Sequence, residues 1–225
     1  MVLLVGEKRV RDAVETLGLS LTVEQEEQVQ ELAARLYERN SALNLTRIPP
    51  EEFLEKHFID SLALTRAVSP KNGGRLIDVG TGAGFPALPL AICFPYLQVT
   101  ALDATRKKIE FVSETAHQLG LRNVEVIHGR AEEVQRRSDH RFRYDVAVAR
   151  AVAPLSRLAP WLLPFVAPGG VAVALKGPAV DEELEQYRAV AKRHWPVPTV
   201  VRFETAHLGV NTTRTMVRWQ ESTQQ

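Results

Sequence analysis

The chain has 225 residues, which suits one main domain with a small appendage. Hydrophobic residues make up 45% and charged residues 24%, the balance of a soluble globular protein, and a formal net charge of +1 excludes a global field that would advertise a polyanionic partner. Cys93 is the only cysteine, which excludes an internal disulfide and disfavours a cysteine-built metal site. No apolar run reaches membrane-spanning length and no signal-peptide pattern opens the sequence, so a cytoplasmic chain is expected.

Residues from about 7 to 20 place Val10, Val14 and Leu17 at helical spacing, and Gly18 closes the turn. Thr22 precedes Gln25 as a capping box, predicting a long amphipathic helix to about Asn40 with Val29, Leu32, Ala33, Leu36 and Tyr37 on one face. Asn44-Leu-Thr46 falls in the connection beyond, where Asn44 reads as a turn or cap residue. Pro49-Pro50 opens a further helix whose buried side holds Phe53, Leu54, Phe58, Leu62 and Leu64. His57 and Asp60 are three apart on it, share a face, and read as a hydrogen-bonded pair fixing this layer. Pro70 to Gly74 is rich in turn formers. Residues 1–70 are therefore expected as a small helical layer in front of a second unit, 71–225.

From Arg75 onward strands alternate with helices, which argues for an α/β fold with a mostly parallel sheet covered on both faces. Strands are expected at 75–79, 98–102, 123–128, 144–149 and 170–175. Helices are expected at 105–119, 131–137, 155–166 (interrupted by Pro160 and Pro164) and 181–194. Apolar runs at 197–204 and 213–219 would complete a seven-stranded sheet as a hairpin. Trp161, Trp195 and Trp219 read as core or edge fillers, and Cys93 as a packed small hydrophobe.

The first of these strands organises the rest. Leu76 to Val79 ends in glycines at alternate positions, Gly80, Gly82 and Gly84, with Asp78 just before them and an apolar segment, Ala87 to Phe94, after. A buried strand running into a turn without Cβ atoms lets a ligand approach the backbone. The spacing is G-x-G-x-G and not the G-x-G-x-x-G of dinucleotide binding. Asp103 ends the second strand about twenty residues on, placed to accept hydrogen bonds from ribose hydroxyls, and the two strands together read as a nucleoside pocket. Asp78 either orients the glycine loop or approaches a ligand amine. Four of the five parallel strand tips also present arginine or lysine, including Lys107, Lys108, Arg130, Arg150 and Lys176. On one rim they would make a basic mouth suited to RNA.

These stretches resemble one family. Asp78-Val-Gly-Thr-Gly-Ala-Gly-Phe-Pro86 is similar to the first motif of S-adenosylmethionine-dependent methyltransferases of the Rossmann-like class I fold. Asn44-Leu-Thr46, Lys56-His-Phe-Ile-Asp-Ser-Leu62, Asp103 to Lys108, Gly129 to Glu132, Arg150 to Leu155 and Lys176-Gly177 narrow it to the bacterial small-subunit ribosomal RNA guanine-N7 methyltransferases, also called glucose-inhibited division protein B. The resemblance spans roughly residues 20 to 219 and implies S-adenosyl-L-methionine as methyl donor and the 16S ribosomal RNA of the small subunit as partner, with no membrane, no metal and a monomeric chain. It implies Asp78, Gly80, Gly82, Gly84 and Phe85 around the donor, Asp103 on its ribose with Ala104 and Thr105 beside it, and Ala131 with Glu132 bracketing the adenine. Arg150 would lie at the donor–acceptor junction, and Lys107, Lys108, Arg130 and Lys176 would meet RNA. Two departures stand out: the family's proline- and lysine-rich tail is replaced by Gln220 to Gln225, and Gly209 to Thr213 differs from the usual segment.

Guanine N7 offers a lone pair and carries no proton, so the implied transfer needs alignment rather than a general base. Cytosine C5 methylation would need a cysteine nucleophile, and Cys93 is in the wrong place; exocyclic-amine methylation usually shows an Asn/Asp-Pro-Pro-aromatic run where Arg150-Ala-Val-Ala-Pro154 stands. An RNA-binding module without activity, a small-molecule methyltransferase and a nicotinamide-dependent oxidoreductase are the competing readings.

Overall fold

The computed structural model describes residues 7–150, 153–177, 180–192, 195–207 and 210–220, and the motif positions 151, 152, 178, 209 and 221–225 lie outside them; the helix expected at 181–194 stops early, at Val190. Helix α1 (Glu7–Glu15) buries Val10, Ala13 and Val14, and α2 (Val23–Leu43) buries Val29, Leu32, Ala33 and Leu36. The capping box forms as expected: the Thr22 hydroxyl accepts from Gln25 N–H and the Gln25 amide oxygen accepts from Thr22 N–H. The two helices are fastened by Arg11, which donates to both Glu26 oxygens at 2.8 and 2.9 Å. That hydrogen-bonded guanidinium holds the Glu26 carboxyl below its ordinary range. The second helix ends three residues later than expected, at Leu43, where Asn44 takes the left-handed conformation (φ 51°).

The single helix expected after Pro49-Pro50 is instead a succession of short turns. A 3-10 turn (Pro50–Glu52), a π-helical turn (Leu54–Ile59), the short helix α3 (Asp60–Leu62) and a second 3-10 turn (Ala63–Arg66) follow one another. The widened π turn falls where Lys56, His57 and Asp60 meet the sheet edge, a common place for such departures.

The sheet has seven strands in the order β3-β2-β1-β4-β5-β7-β6. They are β1 (Arg75–Val79), β2 (Gln98–Asp103), β3 (Val124–His128), β4 (Tyr144–Arg150), β5 (Val166–Lys176), β6 (Thr199–His207) and β7 (Val210–Gln220). The first five pair in parallel, while β7 is antiparallel to both neighbours. Helices α4 (Ala87–Cys93), α5 (Arg106–Gln118), α6 (Ala131–Val134), α7 (Leu155–Leu162) and α8 (Val180–Val190) connect the strands.

Alternation along the strands divides the core between the two faces. Leu76, Val99, Ala101, Val146 and Val148 pack with α4, α5 and the N-terminal helical layer. Ile77, Val79, Leu102, Ala147 and Ala149 pack with α6, α7 and α8, where Trp219 is fully buried. Cys93 is partly buried against the first cluster, and its burial pushes the thiol pKa up, away from nucleophilic chemistry. Helix α2 is tied to this framework by Gln25 and Gln28, which donate to the carbonyls of Ile92 and Leu119 at 2.7 and 2.8 Å. The chain reverses its direction of winding between β1 and β4, which places the ligand crevice beyond their carboxyl ends.

Candidate active site

The turn after β1 is held from behind and from the side. Asp78 is fully buried; its Oδ2 accepts from the Thr81 hydroxyl at 2.6 Å and from Ala87 N–H at 3.1 Å, so one carboxylate oxygen spans the loop from start to end. Its Oδ1 is buried without a partner. Burial raises the Asp78 pKa to about 7, against the lowering effect of the two hydrogen bonds and Arg150. On the other side, Gly80 and Thr81 N–H groups donate to Leu102 O, and Gly82 N–H donates to Asp103 Oδ2 at 2.9 Å. The second Asp103 oxygen accepts from Thr105 N–H at 2.8 Å. Each Asp103 oxygen thus carries one backbone hydrogen bond and keeps capacity for another. The glycines are needed conformationally, since Gly80, Gly82 and Gly84 have φ of 76°, 62° and 91°.

A cavity of about 890 Å³ opens in front of this turn. Gly80, Gly82, Phe85, Asp103, Ala104, Ala131, Glu132 and Arg150 all line it, as do Lys108 and Arg130. Asp78, Gly84 and Thr105 support the loops behind and do not line it; Lys107 is exposed beside it. The residues fit a nucleoside-bearing donor: a Cβ on Gly82 would meet nothing nearer than Gly80 O at 4.0 Å, and Asp103 has acceptor capacity where a ribose would lie.

Lys176 is elsewhere. Its side chain is 8% exposed, its ammonium is 2.7 Å from Glu183 Oε2, and it donates to Ala153 O at 3.0 Å. Glu183 also accepts from Leu155 N–H, at the start of α7. This lysine therefore anchors the connection after β4 from beneath, and its charge is already matched.

The opposite wall comes from the helical layer. His57 stacks on Phe85 with ring centroids 4.3 Å apart. Arg150, reaching over from the end of β4, donates through Nη1 to Lys56 O at 3.0 Å and Asp60 Oδ2 at 3.1 Å, and its Nη2 lies 3.2 Å from His57 Nδ1. The side chains of His57 and Asp60 are thus joined through Arg150, and not to each other as their spacing suggests. Burial and the neighbouring Arg150 lower the His57 pKa to about 3, so the ring is neutral. Arg214 Nε sits 3.1 Å from Asp60 Oδ1, an ion pair without hydrogen-bond alignment.

Thr46, Arg47 and Ile48 complete that wall, together with Trp161 from α7, which sequence reading assigned to packing. Thr46 is clamped by Asn40, whose amide bonds both its backbone N–H and its carbonyl, at 2.9 and 3.0 Å. Tyr37 holds the next residues through the carbonyls of Ile48 and Pro49. Asn44-Leu-Thr46 and Lys56 to Leu62 were the sequence signals for this wall.

Comparison with known proteins agrees with this geometry. The profile of the family described as GidB, rRNA small subunit methyltransferase G, matches residues 25–208. The ribosomal RNA small subunit methyltransferase G of Deinococcus radiodurans is 48% identical over 187 residues, covering 83% of this chain and 74% of that protein. The protein of the same name from Alkaliphilus metalliredigens is 44% identical over 177 residues, covering 78% and 74%. Among solved structures, an rRNA methylase from Streptococcus thermophilus superposes with a TM-score of 0.52 at 17% identity, covering 75% of this chain and 98% of that one. The YcgJ protein from Bacillus subtilis gives 0.56 at 14% identity, covering 74% and 99%. These likenesses show the Rossmann-like class I methyltransferase fold. The chain belongs to the family of rRNA small subunit methyltransferase G.

Proposed function

We propose that this protein transfers the methyl group of S-adenosyl-L-methionine to N7 of a guanine in the 16S ribosomal RNA of the small subunit. Family membership supports the coarse part, methyl transfer to ribosomal RNA. The finer part is supported by one arrangement: among the described residues, the imidazole and the carboxylate beside Arg150, on the side of the cavity away from Asp103 and Glu132, are already engaged by protein groups. Both His57 ring nitrogens are occupied, by Arg150 and Thr46, and Asp60 is engaged by Arg150 and Arg214. An acceptor that must lose a proton would need a base here. Guanine N7 does not.

The donor, when bound, supplies an electrophilic methyl group on a sulfonium. The N7 lone pair forms the new N–C bond as the C–S bond breaks, the electron pair goes to sulfur, and the positive charge passes to the base. The protein's part is orientation. Asp103 holds the ribose, Ala104 lies beside it, Ala131 and Glu132 flank the adenine, and the Gly80–Phe85 turn carries the methyl-bearing end. Asp78, Gly84 and Thr105 act through the loops they support. Arg150 is a strut: paired with Asp60, it adds no unmatched positive charge where the base becomes cationic. Lys107, Lys108 and Arg130 meet RNA phosphates, while Lys176 acts through the loop it anchors. Among the described residues no helix is long and apolar enough to cross a membrane, and the reading places the chain in the cytoplasm with its ribosomal substrate.

Two measurements test this. Calorimetry should show binding of S-adenosylhomocysteine and not of NAD, and labelled S-adenosylmethionine should pass its methyl group to small-subunit ribosomal RNA. Binding of NAD alone, or donor binding without transfer to that RNA, would overturn the proposal.

A further inference from the structure

Three contacts fix the protons around Thr46. Arg150 Nη2 lies 3.2 Å from His57 Nδ1, and a guanidinium only donates, so Nδ1 must be the bare, accepting nitrogen. A neutral imidazole then carries its proton on Nε2, and the buried His57, with its depressed pKa, is neutral. Nε2 is 2.8 Å from Thr46 Oγ1 and therefore donates to it. The same oxygen accepts from Ile48 N–H at 3.0 Å. Both acceptor positions of the Thr46 hydroxyl are filled, and its own proton has no acceptor among the hydrogen bonds of the described residues. Thr46 lines the cavity, so this is a donor with a fixed orientation and no partner among the described residues.

Its place selects what it reads. Asp103 ends β2 and Ala131 and Glu132 follow β3, on one side of β1, whereas Arg150 ends β4 on the other, and Thr46 and His57 stand with Arg150. The donor's nucleoside occupies the first side in the reading above, which leaves Thr46 on the acceptor side. The N7 edge of guanine carries an acceptor next to N7, the O6 oxygen, where adenine carries the N6 amino donor. We infer that the Thr46 hydroxyl donates to O6 of the target guanine and is a specificity-determining residue of the transfer, oriented by His57 and Arg150. The inference rests on the guanine-N7 reading. Adenine would set its amino group against a hydroxyl whose lone pairs are already used, so the device rejects adenine as well as accepting guanine.

The test uses the full chain with Thr46→Val, which removes the donor at similar volume, and Thr46→Ser, which keeps it. Wild-type enzyme first locates the modified guanine in small-subunit RNA. A synthetic RNA covering it is then made with guanine or with 2-aminopurine, which keeps N7 and lacks O6. On guanine, Thr46→Val should lower kcat/KM roughly tenfold, Thr46→Ser should stay within about threefold, and affinity for S-adenosylhomocysteine should not change. On 2-aminopurine, wild type should already show the roughly tenfold loss, and Thr46→Val should add nothing further. An equal loss for Thr46→Val on both bases would make Thr46 a scaffold residue and overturn the inference, as would an undiminished rate of Thr46→Val on guanine. Absence of 7-methylguanosine from the wild-type reaction would instead strike the reading on which the inference rests.

Discussion

Arg150 Nη1 donates to Asp60 Oδ2 at 3.1 Å, joining the tip of β4 to the helical layer across 90 residues of sequence. Both side chains are largely withdrawn from solvent, at 16% and 20% exposure, so this pair is worth more than a surface ion pair. The guanidinium also holds Lys56 O and His57 Nδ1, a three-way fork that a lysine ammonium cannot reproduce in the same plane. Arg150→Lys is therefore expected to lower kcat/KM for methyl transfer by about 10- to 100-fold while leaving donor affinity within about threefold, because the Asp103 side of the cavity is untouched. Arg150→Ala should also cost about 2–4 kcal/mol of stability in urea unfolding, since Asp60 keeps only the misaligned Arg214.

The basic residues divide into free and committed ones, and salt dependence separates them. Neutralising Lys107, Lys108 or Arg130 should each reduce the slope of log K against log salt for RNA binding by about 0.7–0.9. Lys176→Met should leave that slope unchanged and instead destabilise the fold by about 1–3 kcal/mol, because Glu183 and the Ala153 carbonyl lose their partner. Filter binding over a salt series, with unfolding curves on the same variants, checks both.

Gly84 is far less able than Gly82 to accept a side chain. Its φ is 91°, and a Cβ there would stand 2.5 Å from Leu88 Cδ1 and 2.7 Å from Leu88 Cγ in α4. Gly84→Ala is expected to cost about 2–5 kcal/mol and to weaken S-adenosylhomocysteine binding, since the strained turn or the Leu88 side chain packed on it must shift. Gly18→Ala provides the control: its φ is 73° but nothing lies within 4 Å, so about 1–2 kcal/mol and unchanged donor binding are expected.

Two buried groups make opposite contributions to the pH dependence of stability. His57 has a folded pKa of about 3 against 6.5 unperturbed, so its contribution is complete above about 6.5 and is lost as pH falls toward 3. Asp78 has a folded pKa of about 7 against 3.8, so its contribution is complete below about 3.8 and is lost as pH rises toward 7. Between pH 4 and 6.5 each changes stability by up to about 1.4 kcal/mol per pH unit, with opposite signs. Relative to wild type, Asp78→Asn should therefore gain stability as pH rises through this window and His57→Asn should lose it. Urea unfolding at three pH values, read as differences between variant and wild type, gives both slopes.

Features set by neighbours in sequence were legible before the structure. The Thr22 capping box, the glycine turn, Asp103 at the tip of β2 and the alternation of strands and helices that makes the first five strands parallel all follow from local pattern. What escaped depends on distant partners. Strand β5 begins at Val166 and not at 170, because the turn formers Pro168, Gly169 and Gly170 sit in an irregularity: Tyr144 pairs with Val166 and Val146 with Val171. Gly170 is required there, since a Cβ would lie 2.9 Å from the Asp145 carbonyl. Lys176 stands at a strand tip, but Glu183 on α8 turns its ammonium inward. His57 and Asp60 share a helical face, yet their common partner is Arg150, and the hydroxyl of Thr46 becomes a site feature only through His57.

Nucleoside analysis of small-subunit ribosomal RNA, after incubation with the enzyme and S-adenosylmethionine carrying a labelled methyl group, tests the central claim most directly. The expected result is label in 7-methylguanosine alone. Label in 1-methylguanosine, N2-methylguanosine, 5-methylcytidine or a methyladenosine would contradict it.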